Sequence, residues 1–120
     1  MNKRSVGSKY EDMAVAFLND NGVRVIERNF RSRYGEIDIV GHDGAYYIFF
    51  EVKYRKSSSA GDPAGAVDYR KQFRISRVAD YFRVYRKLKD SDNVRFDVIT
   101  ILGDEIKWYK NAFEYIQPRT

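Results

Sequence analysis

The sequence of 120 residues contains no cysteine and a single histidine. Without cysteine, the chain can form neither a disulfide framework nor a zinc site built on thiolates. One histidine, His42, excludes a metal cluster held by several imidazole rings, and we interpret it as a turn residue. Any bound metal must therefore rest on oxygen ligands, which favours Mg²⁺ or Mn²⁺.

Long apolar runs are also missing, and acidic residues are in the minority. No stretch approaches the roughly 18 apolar residues of a membrane-spanning helix, and the start of the chain lacks an apolar signal core. We therefore expect a cytoplasmic protein without membrane contact. Lys and Arg number 22 against 17 Asp and Glu, a net charge of +5. This surplus favours an acidic partner such as nucleic acid, although it would equally serve solubility alone.

The length predicts a single domain over residues 1–120, and the hydrophobic periodicity predicts two helices, Ser5–Asn21 and Gly65–Leu88. Extended segments are predicted at VRVIERNFR (23–31), GEIDIVG (35–41), AYYIFFEVKYR (45–55), VRFDVITIL (94–102) and EIKWY (105–109). KSSSAGDP (56–63) is typical of a loop, and NAFEYI (111–116) fits either a strand or a helix. The order αβββαββ indicates an α/β fold with helices packed on a sheet.

Charged residues occur at the end of the apolar third strand. Because side chains alternate between the faces of a strand, Glu51 and Lys53 share one face. On the second strand, the same rule puts Asp38 on one face and both Ile37 and Ile39 on the other. Whether Asp38 and Glu51 lie on the same face of the sheet depends on the loop between the two strands.

Asp43-Gly44 is a strong signal for a tight hairpin between these strands. With a two-residue turn, His42 pairs with Ala45, and Asp38 becomes a diagonal neighbour of the third-strand glutamate. A four-residue loop would keep the two carboxylates on one face, whereas a three-residue loop would separate them. The turn chemistry therefore supports a shared site.

Neighbouring carboxylates repel each other and raise their own pKa values unless a cation lies between them. Asp38 and Glu51 are thus candidate ligands of Mg²⁺, with Lys53 placed to orient water or to stabilise charge on a phosphate. This set would suffice for metal-dependent phosphodiester hydrolysis. The alternative is a solvated strand end with cross-strand ion pairs, because E-x-K is common by chance.

The second helix carries most of the candidate phosphate contacts. Residues 65–90 contain eight Lys or Arg against three Asp, with tyrosines interleaved, which suits a phosphate backbone. Lys71 lies on the inward stripe near the third strand, either as a phosphate contact or as a lysine extending from the edge of the core. Arg55, Arg70 and Arg74 are the further candidate nucleic-acid contacts.

Two other acids are harder to assign from their surroundings. Glu11 lies near the apolar stripe of the first helix, where a surface glutamate is the ordinary interpretation. Asp97 lies in an apolar strand, and we interpret it as a strand-edge or paired aspartate rather than as a further metal ligand.

The segments GEIDIV, YIFFEVKYR, AVDYRKQFRISRVADYF and RFDVITI together resemble the bacterial YraN-like family. That family is similar to archaeal Holliday junction resolvases and belongs to the PD-(D/E)XK restriction-endonuclease-like superfamily. The resemblance implies an αβββαβ core around a mixed sheet and a magnesium site made by Asp38, Glu51 and Lys53. It also implies that Glu11 is the first-helix glutamate that completes such a site.

Three functions follow as hypotheses. The leading one is a metal-dependent nuclease acting on DNA, and branched or recombination intermediates enter by analogy with resolvases. The second is a non-catalytic nucleic-acid-binding protein that retains the nuclease fold, and the third is an interaction module without nucleic acid. RNA stays open as a substrate. A homodimer is compatible with the first hypothesis, because symmetric cutting of two strands needs two sites.

Overall fold

The structure, a computed structural model, describes residues 3–55 and 67–119, with side chains from Ser8 onward. The elements within these residues are α1 (Lys3–Asp20), β1 (Arg24–Ser32), β2 (Gly35–His42), β3 (Tyr46–Arg55), α2 (Tyr69–Tyr85), β4 (Asn93–Leu102) and β5 (Glu105–Phe113). This order confirms the predicted αβββαββ succession. The predicted loop at 56–63 lies outside the described residues.

The second helix starts later and ends earlier than its periodicity predicts. Asp68 caps α2, because its side chain accepts a hydrogen bond from the backbone N–H of Lys71 at 2.9 Å. At the other end, Lys87 has a φ of 54°, which stops the helical path just after the cap residue Arg86. In the described part of the chain, neither helix is both long and apolar enough to span a membrane.

The five strands form one mixed sheet in the order β1-β2-β3-β4-β5. Only β3 and β4 run parallel, with α2 as the crossover between them, and the other neighbours are antiparallel. The segment NAFEYI divides: β5 continues to Phe113, and no regular element follows in residues 114–119. The αβββαβ core on a mixed sheet, as expected for a restriction-endonuclease-like fold, is confirmed.

The helices cover opposite faces of the sheet, so β3 is buried on both. Phe49 packs into the cluster under α2, whereas Ile48 and Phe50 pack into the cluster under α1. A strand covered on both faces carries a continuous apolar run, which explains why these three residues are all apolar. Glu51, two residues after Phe49, therefore turns towards α2.

Strand β2 departs from simple alternation at Asp38. Ile37 packs in the α2-side cluster and Ile39 in the α1-side cluster, so the prediction that they share a face is wrong. The register pairs Arg28 with Ile39 and then Phe30 with Ile37, and the intervening pair is missing. Asn29, opposite Asp38, has a φ of 52°, a conformation outside the strand region that rotates the local backbone.

Strands β2 and β3 pair over only four positions, from His42 with Tyr47 to Ile39 with Phe50. The predicted pairing of His42 with Ala45 is therefore wrong. Four residues connect His42 to its partner Tyr47, and the Asp43 side chain accepts hydrogen bonds from the N–H groups of Ala45 and Tyr46 in this connection. Because the connection has an even number of residues, it keeps Asp38 and Glu51 in the predicted relation across the two strands.

Beyond the Ile39 pair, β2 and β3 separate. β2 stays paired with β1 as far as Gly35, and β3 stays paired with β4 as far as Arg55. We call this opening between residues 35–38 and 51–55 the fork. Asp38 and Glu51 are the first residues beyond the last shared pair, one on each strand.

The close approach of β1 to β2 depends on Gly41. A Cβ at this position would lie 2.5 Å from Cγ1 of Val23 and 3.3 Å from the carbonyl oxygen of Arg24. We expect Gly41→Ala to lower the free energy of unfolding by about 1–3 kcal/mol, as overpacking does. Urea denaturation followed by circular dichroism measures this.

The double variant Gly41→Ala/Val23→Ala supplies the control, because it removes the atom that the new methyl group meets. Its destabilisation should be less than the sum of the two single effects. An additive result would show that the Val23 contact does not set the requirement for glycine.

Candidate active site

The fork brings two carboxylates together at the end of a buried strand. Asp38 Oδ2 accepts a hydrogen bond of 2.8 Å from the backbone N–H of Val52, which has left the ladder with β2. Asp38 and Glu51 both line a cavity of about 260 Å³ on the α2 side, together with Lys71. Glu51 is 7% exposed, so its charge is poorly screened by water.

Burial raises the pKa of Asp38 to about 7, and the negative charge of Glu51 adds to the effect. The Val52 N–H and the charge of Lys71 oppose this rise without cancelling it. A carboxylate that resists ionisation beside a second carboxylate is a place where a cation is stabilised. The expected proximity of the two acids is thus present in the fold.

Two lysines hold Glu51 from different elements. Glu51 Oε1 lies 2.5 Å from Lys71 Nζ and 3.4 Å from Lys53 Nζ. Burial lowers the pKa of Lys53, although Glu51 acts in the other direction. For Lys71 the hydrogen bond and charge of Glu51 outweigh burial and raise the pKa. Both ammonium groups are therefore positioned by the carboxylate that would receive a metal.

Glu11 shares a cavity with Asp38 on the other face of the sheet. The two residues line a second cavity, of about 460 Å³, on the α1 side. Glu11 Oε1 accepts hydrogen bonds from Arg28 Nε at 3.0 Å and from Asn29 Nδ2 at 2.9 Å. Asp38 thus borders a cavity that contains Glu11 and a cavity that contains Glu51.

Within residues 3–55 and 67–119, no three His, Cys, Asp or Glu side chains lie close enough to hold one ion together. The ligand set of Asp38, Glu51 and Glu11 therefore stays a prediction. The chemistry of the first two fits Mg²⁺: both offer hard oxygen donors, and such an ion commonly takes only one or two carboxylates. Asp38 Oδ1 accepts no hydrogen bond from the described residues, so it has room for a ligand bond.

The predicted phosphate contacts fall at different distances from this pair. Lys71 and the exposed Arg74 line the α2-side cavity. Arg70 is exposed in the first turn of the same helix, and Arg55 is the half-buried last residue of β3. The start of α2 therefore presents a basic surface next to the carboxylates.

Sequence reasoning missed the residues that shape the fork. Arg28 and Asn29 fix Glu11, and the Val52 N–H fixes Asp38. An asparagine inside a strand pattern is a usable signal, because asparagine tolerates positive φ better than most residues. The Val52 N–H carries no signal in the sequence, since every residue except proline supplies one.

Asp97 is fully buried and is satisfied within the fold, which confirms that it is a paired aspartate. Its carboxylate accepts hydrogen bonds from Arg95, from Trp108 Nε1 at 2.8 Å and from the Asn111 N–H at 2.8 Å. These donors come from β4 and β5, so Asp97 joins the last two strands.

The raised pKa of Asp38 predicts a pH dependence of stability in the absence of divalent metal. The folded state holds this proton more tightly than the unfolded state does, so stability is lost as pH rises from about 4 to about 7. Asp38→Asn should remove this loss, at most about 4 kcal/mol, so the variant becomes relatively more stable as pH increases. Urea unfolding across this pH range measures it.

Asp104→Asn is the matched control, because this aspartate is exposed in the turn between β4 and β5. Its unfolding profile should run parallel to that of the wild type. If the profile of Asp38→Asn also runs parallel to that of the wild type, ionisation of the Asp38 carboxylate does not lower the stability of the fold. The electrostatic account of the fork would then be wrong.

Among solved structures, the chain is similar to a repair endonuclease from Pyrococcus abyssi, with a TM-score of 0.46 and 20% sequence identity. The match covers 77% of this chain and 38% of that one.

Relatives in sequence match nearly end to end. The UPF0102 protein of Lachnoclostridium phytofermentans is 41% identical over 95% of this chain and 97% of its own length. That of Fusobacterium nucleatum is 41% identical over 92% of each chain, and that of Shewanella loihica is 42% identical over 89% and 92%. The family model described as "Uncharacterised protein family UPF0102" matches residues 10–101. The chain therefore belongs to UPF0102, the YraN-like family that its motifs predict.

Proposed function

We propose that this protein is a metal-dependent nuclease that hydrolyses phosphodiester bonds in DNA. The observation that carries the proposal is the pairing of Asp38 and Glu51 at the fork, with the ammonium groups of Lys53 and Lys71 both at Glu51 Oε1. A protein that only bound nucleic acid would have no use for two neighbouring acids, which repel both each other and the phosphate backbone. The nuclease-like fold is consistent with this activity.

Each group at the fork has a distinct role in the proposed reaction. Asp38 and Glu51 would hold Mg²⁺, and Glu11 would support the Asp38 side of the site. A metal held there would supply an activated water and would neutralise charge on the phosphate. Lys53, kept near Glu51 and partly desolvated, donates hydrogen bonds to the phosphate oxygens as negative charge develops on them.

Lys71 has two successive partners in this proposal. Before metal binds, its ammonium group compensates Glu51 across a distance of 2.5 Å. With a divalent cation at Glu51, the Lys71 ammonium group would be free to turn into the same cavity, where Arg74 is already exposed. The two side chains then hold the phosphate backbone of the strand.

The net charge of +5 and the basic start of α2 support DNA as the partner. Branched DNA is the substrate class that the resemblance to resolvases favours. A homodimer would supply two such sites for symmetric cutting.

Cleavage of linear duplex, single strand, flap and four-way junction DNA tests the activity. With Mg²⁺ or Mn²⁺ the wild type should cleave, whereas Asp38→Asn and Glu51→Gln should each lose at least about 100-fold in rate because the metal site is broken. Metal-free binding of the same DNA should change little. Glu105→Gln, at an exposed glutamate of β5, serves as the control.

Two results would count against the proposal. Undiminished cleavage by the fork variants would place the chemistry elsewhere. Binding without cleavage under every metal tried would favour a non-catalytic nucleic-acid-binding protein that retains the fold.

The exchange of partners by Lys71 gives a second prediction. Lys71→Met should bind Mn²⁺ between about twofold and tenfold more tightly than the wild type, because a competing cation is gone, as expected for an ion pair of this kind. The same variant should bind DNA more weakly across all sequences alike. Calorimetric titration with Mn²⁺ and a DNA-binding series separate the two effects.

Lys107→Met, at an exposed lysine of β5, controls for the loss of one positive charge. Weaker metal binding by Lys71→Met would show that Lys71 supports the metal site instead of competing with it. A sequence-selective loss of DNA binding would contradict a phosphate contact.

A further inference from the structure

A second cavity on the α2 side lies next to the one that contains Asp38 and Glu51. It measures about 670 Å³ and lies between the β1–β2 turn and α2. Tyr34, in that turn, lines both cavities. Tyr34 therefore borders both the carboxylate cavity and this neighbouring space.

The neighbouring cavity exposes large apolar side chains. Tyr34 is 39% exposed, Tyr81 is 47% exposed and Val84 is 78% exposed. Tyr81 is also stacked on Tyr85, with only 10° between the ring planes. Contiguous apolar surface of this kind marks an interaction site, whereas single exposed residues do not.

Cationic and aromatic groups alternate along the path between the two cavities. The Arg33 guanidinium lies 4.9 Å from the centre of the Tyr34 ring, and Arg33 Nη2 donates a hydrogen bond of 2.8 Å to the Tyr34 hydroxyl. On α2, Arg74 lines the carboxylate cavity and Tyr81 lines the next one. At 1.5 Å per residue, these two positions are about 10 Å apart along the helix axis.

We propose that this second cavity is a stacking subsite for an unpaired nucleobase, a proposal that rests on the proposed nuclease function. The base belongs to the strand whose scissile phosphate lies at Asp38 and Glu51. The base stacks on the rings of Tyr34 and Tyr81, and Arg33 contacts the DNA backbone phosphate next to that base. The subsite thereby selects DNA with unpaired nucleotides beside the cleaved bond, since a base held in a duplex cannot enter.

The chemistry of the patch favours a nucleobase over a second copy of this chain. In a two-fold dimer, the same patch would face itself and bring the Arg33 side chains of both copies together. Asp80, the acid that lines the cavity, is already engaged by Arg77 and by the Tyr115 hydroxyl. A nucleic-acid strand, in contrast, offers phosphates for the arginines and a π-face for the tyrosines.

The test compares metal-free binding of two probes at one salt concentration, in EDTA, where no cleavage can occur. One probe is a blunt duplex, and the other is the same duplex with a short single-stranded tail carrying 2-aminopurine. The wild type should prefer the tailed probe and quench its fluorescence. Tyr34→Ala and Tyr81→Ala should each weaken tailed-probe binding about tenfold, the size of one base–aromatic stack, and leave duplex binding within about twofold.

Tyr34→Phe and Tyr81→Phe should retain the preference, because the ring remains. Tyr46→Ala is the matched control: Tyr46 is 37% exposed and lines neither cavity. Its place in β3 puts it five residues from Glu51, roughly 17 Å along the strand. Binding by this variant should equal that of the wild type for both probes.

Equal losses on both probes, or no loss, would overturn the subsite. A shift from dimer to monomer in Tyr81→Ala, seen by analytical ultracentrifugation, would instead assign the patch to a second copy. The cleavage assay keeps the two proposals separate. Cleavage without an effect of the tyrosines refutes only the subsite, and tyrosine-dependent preference without cleavage under any metal refutes only the nuclease.

Discussion

The hydrogen bond from the Val52 N–H to Asp38 is the contact on which the site depends. It exists because β2 and β3 separate after Ile39 and Phe50, which leaves the Val52 N–H without a strand partner. A backbone N–H shielded from water is costly to leave unpaired. Asp38 accepts the hydrogen bond of this N–H, and the same contact holds its carboxylate at the fork. The position of the Asp38 carboxylate is therefore fixed by a main-chain group.

Around that contact, the charges at the fork balance. Asp38 and Glu51 supply two acids, and Lys53 and Lys71 supply two ammonium groups. Glu51 is the buried member of this set, and its pairing with two half-buried lysines explains how its charge is tolerated there. Both lysines contact Glu51 Oε1, so a cation bound at this oxygen would compete with them.

The sequence predicted the element order from hydrophobic periodicity, and it predicted the face of Glu51 from the alternation of side chains along β3. It predicted the parity of the hairpin but not its register, because Asp43 caps a longer connection than the Asp43-Gly44 pair suggests. The rotation of β2 at Asp38 was not predicted. It depends on Asn29 across the strand pair, and periodicity within one strand does not report what a neighbouring strand does.

The hydrogen bonds that each residue accepts distinguish Asp97, which is fully buried, from Asp38, which is half-buried at the fork. Asp97 accepts from two side chains and one backbone N–H, so its oxygens are occupied and the residue belongs to the architecture of β4 and β5. Asp38 accepts one hydrogen bond from the described residues and borders two cavities. An ionised carboxylate has about four acceptor positions, so the described residues leave most of those of Asp38 open to solvent or to a ligand. Because both residues lie in apolar strands, Asp38 and Asp97 look alike in the sequence. The hydrogen-bond donors around each carboxylate show the difference between them.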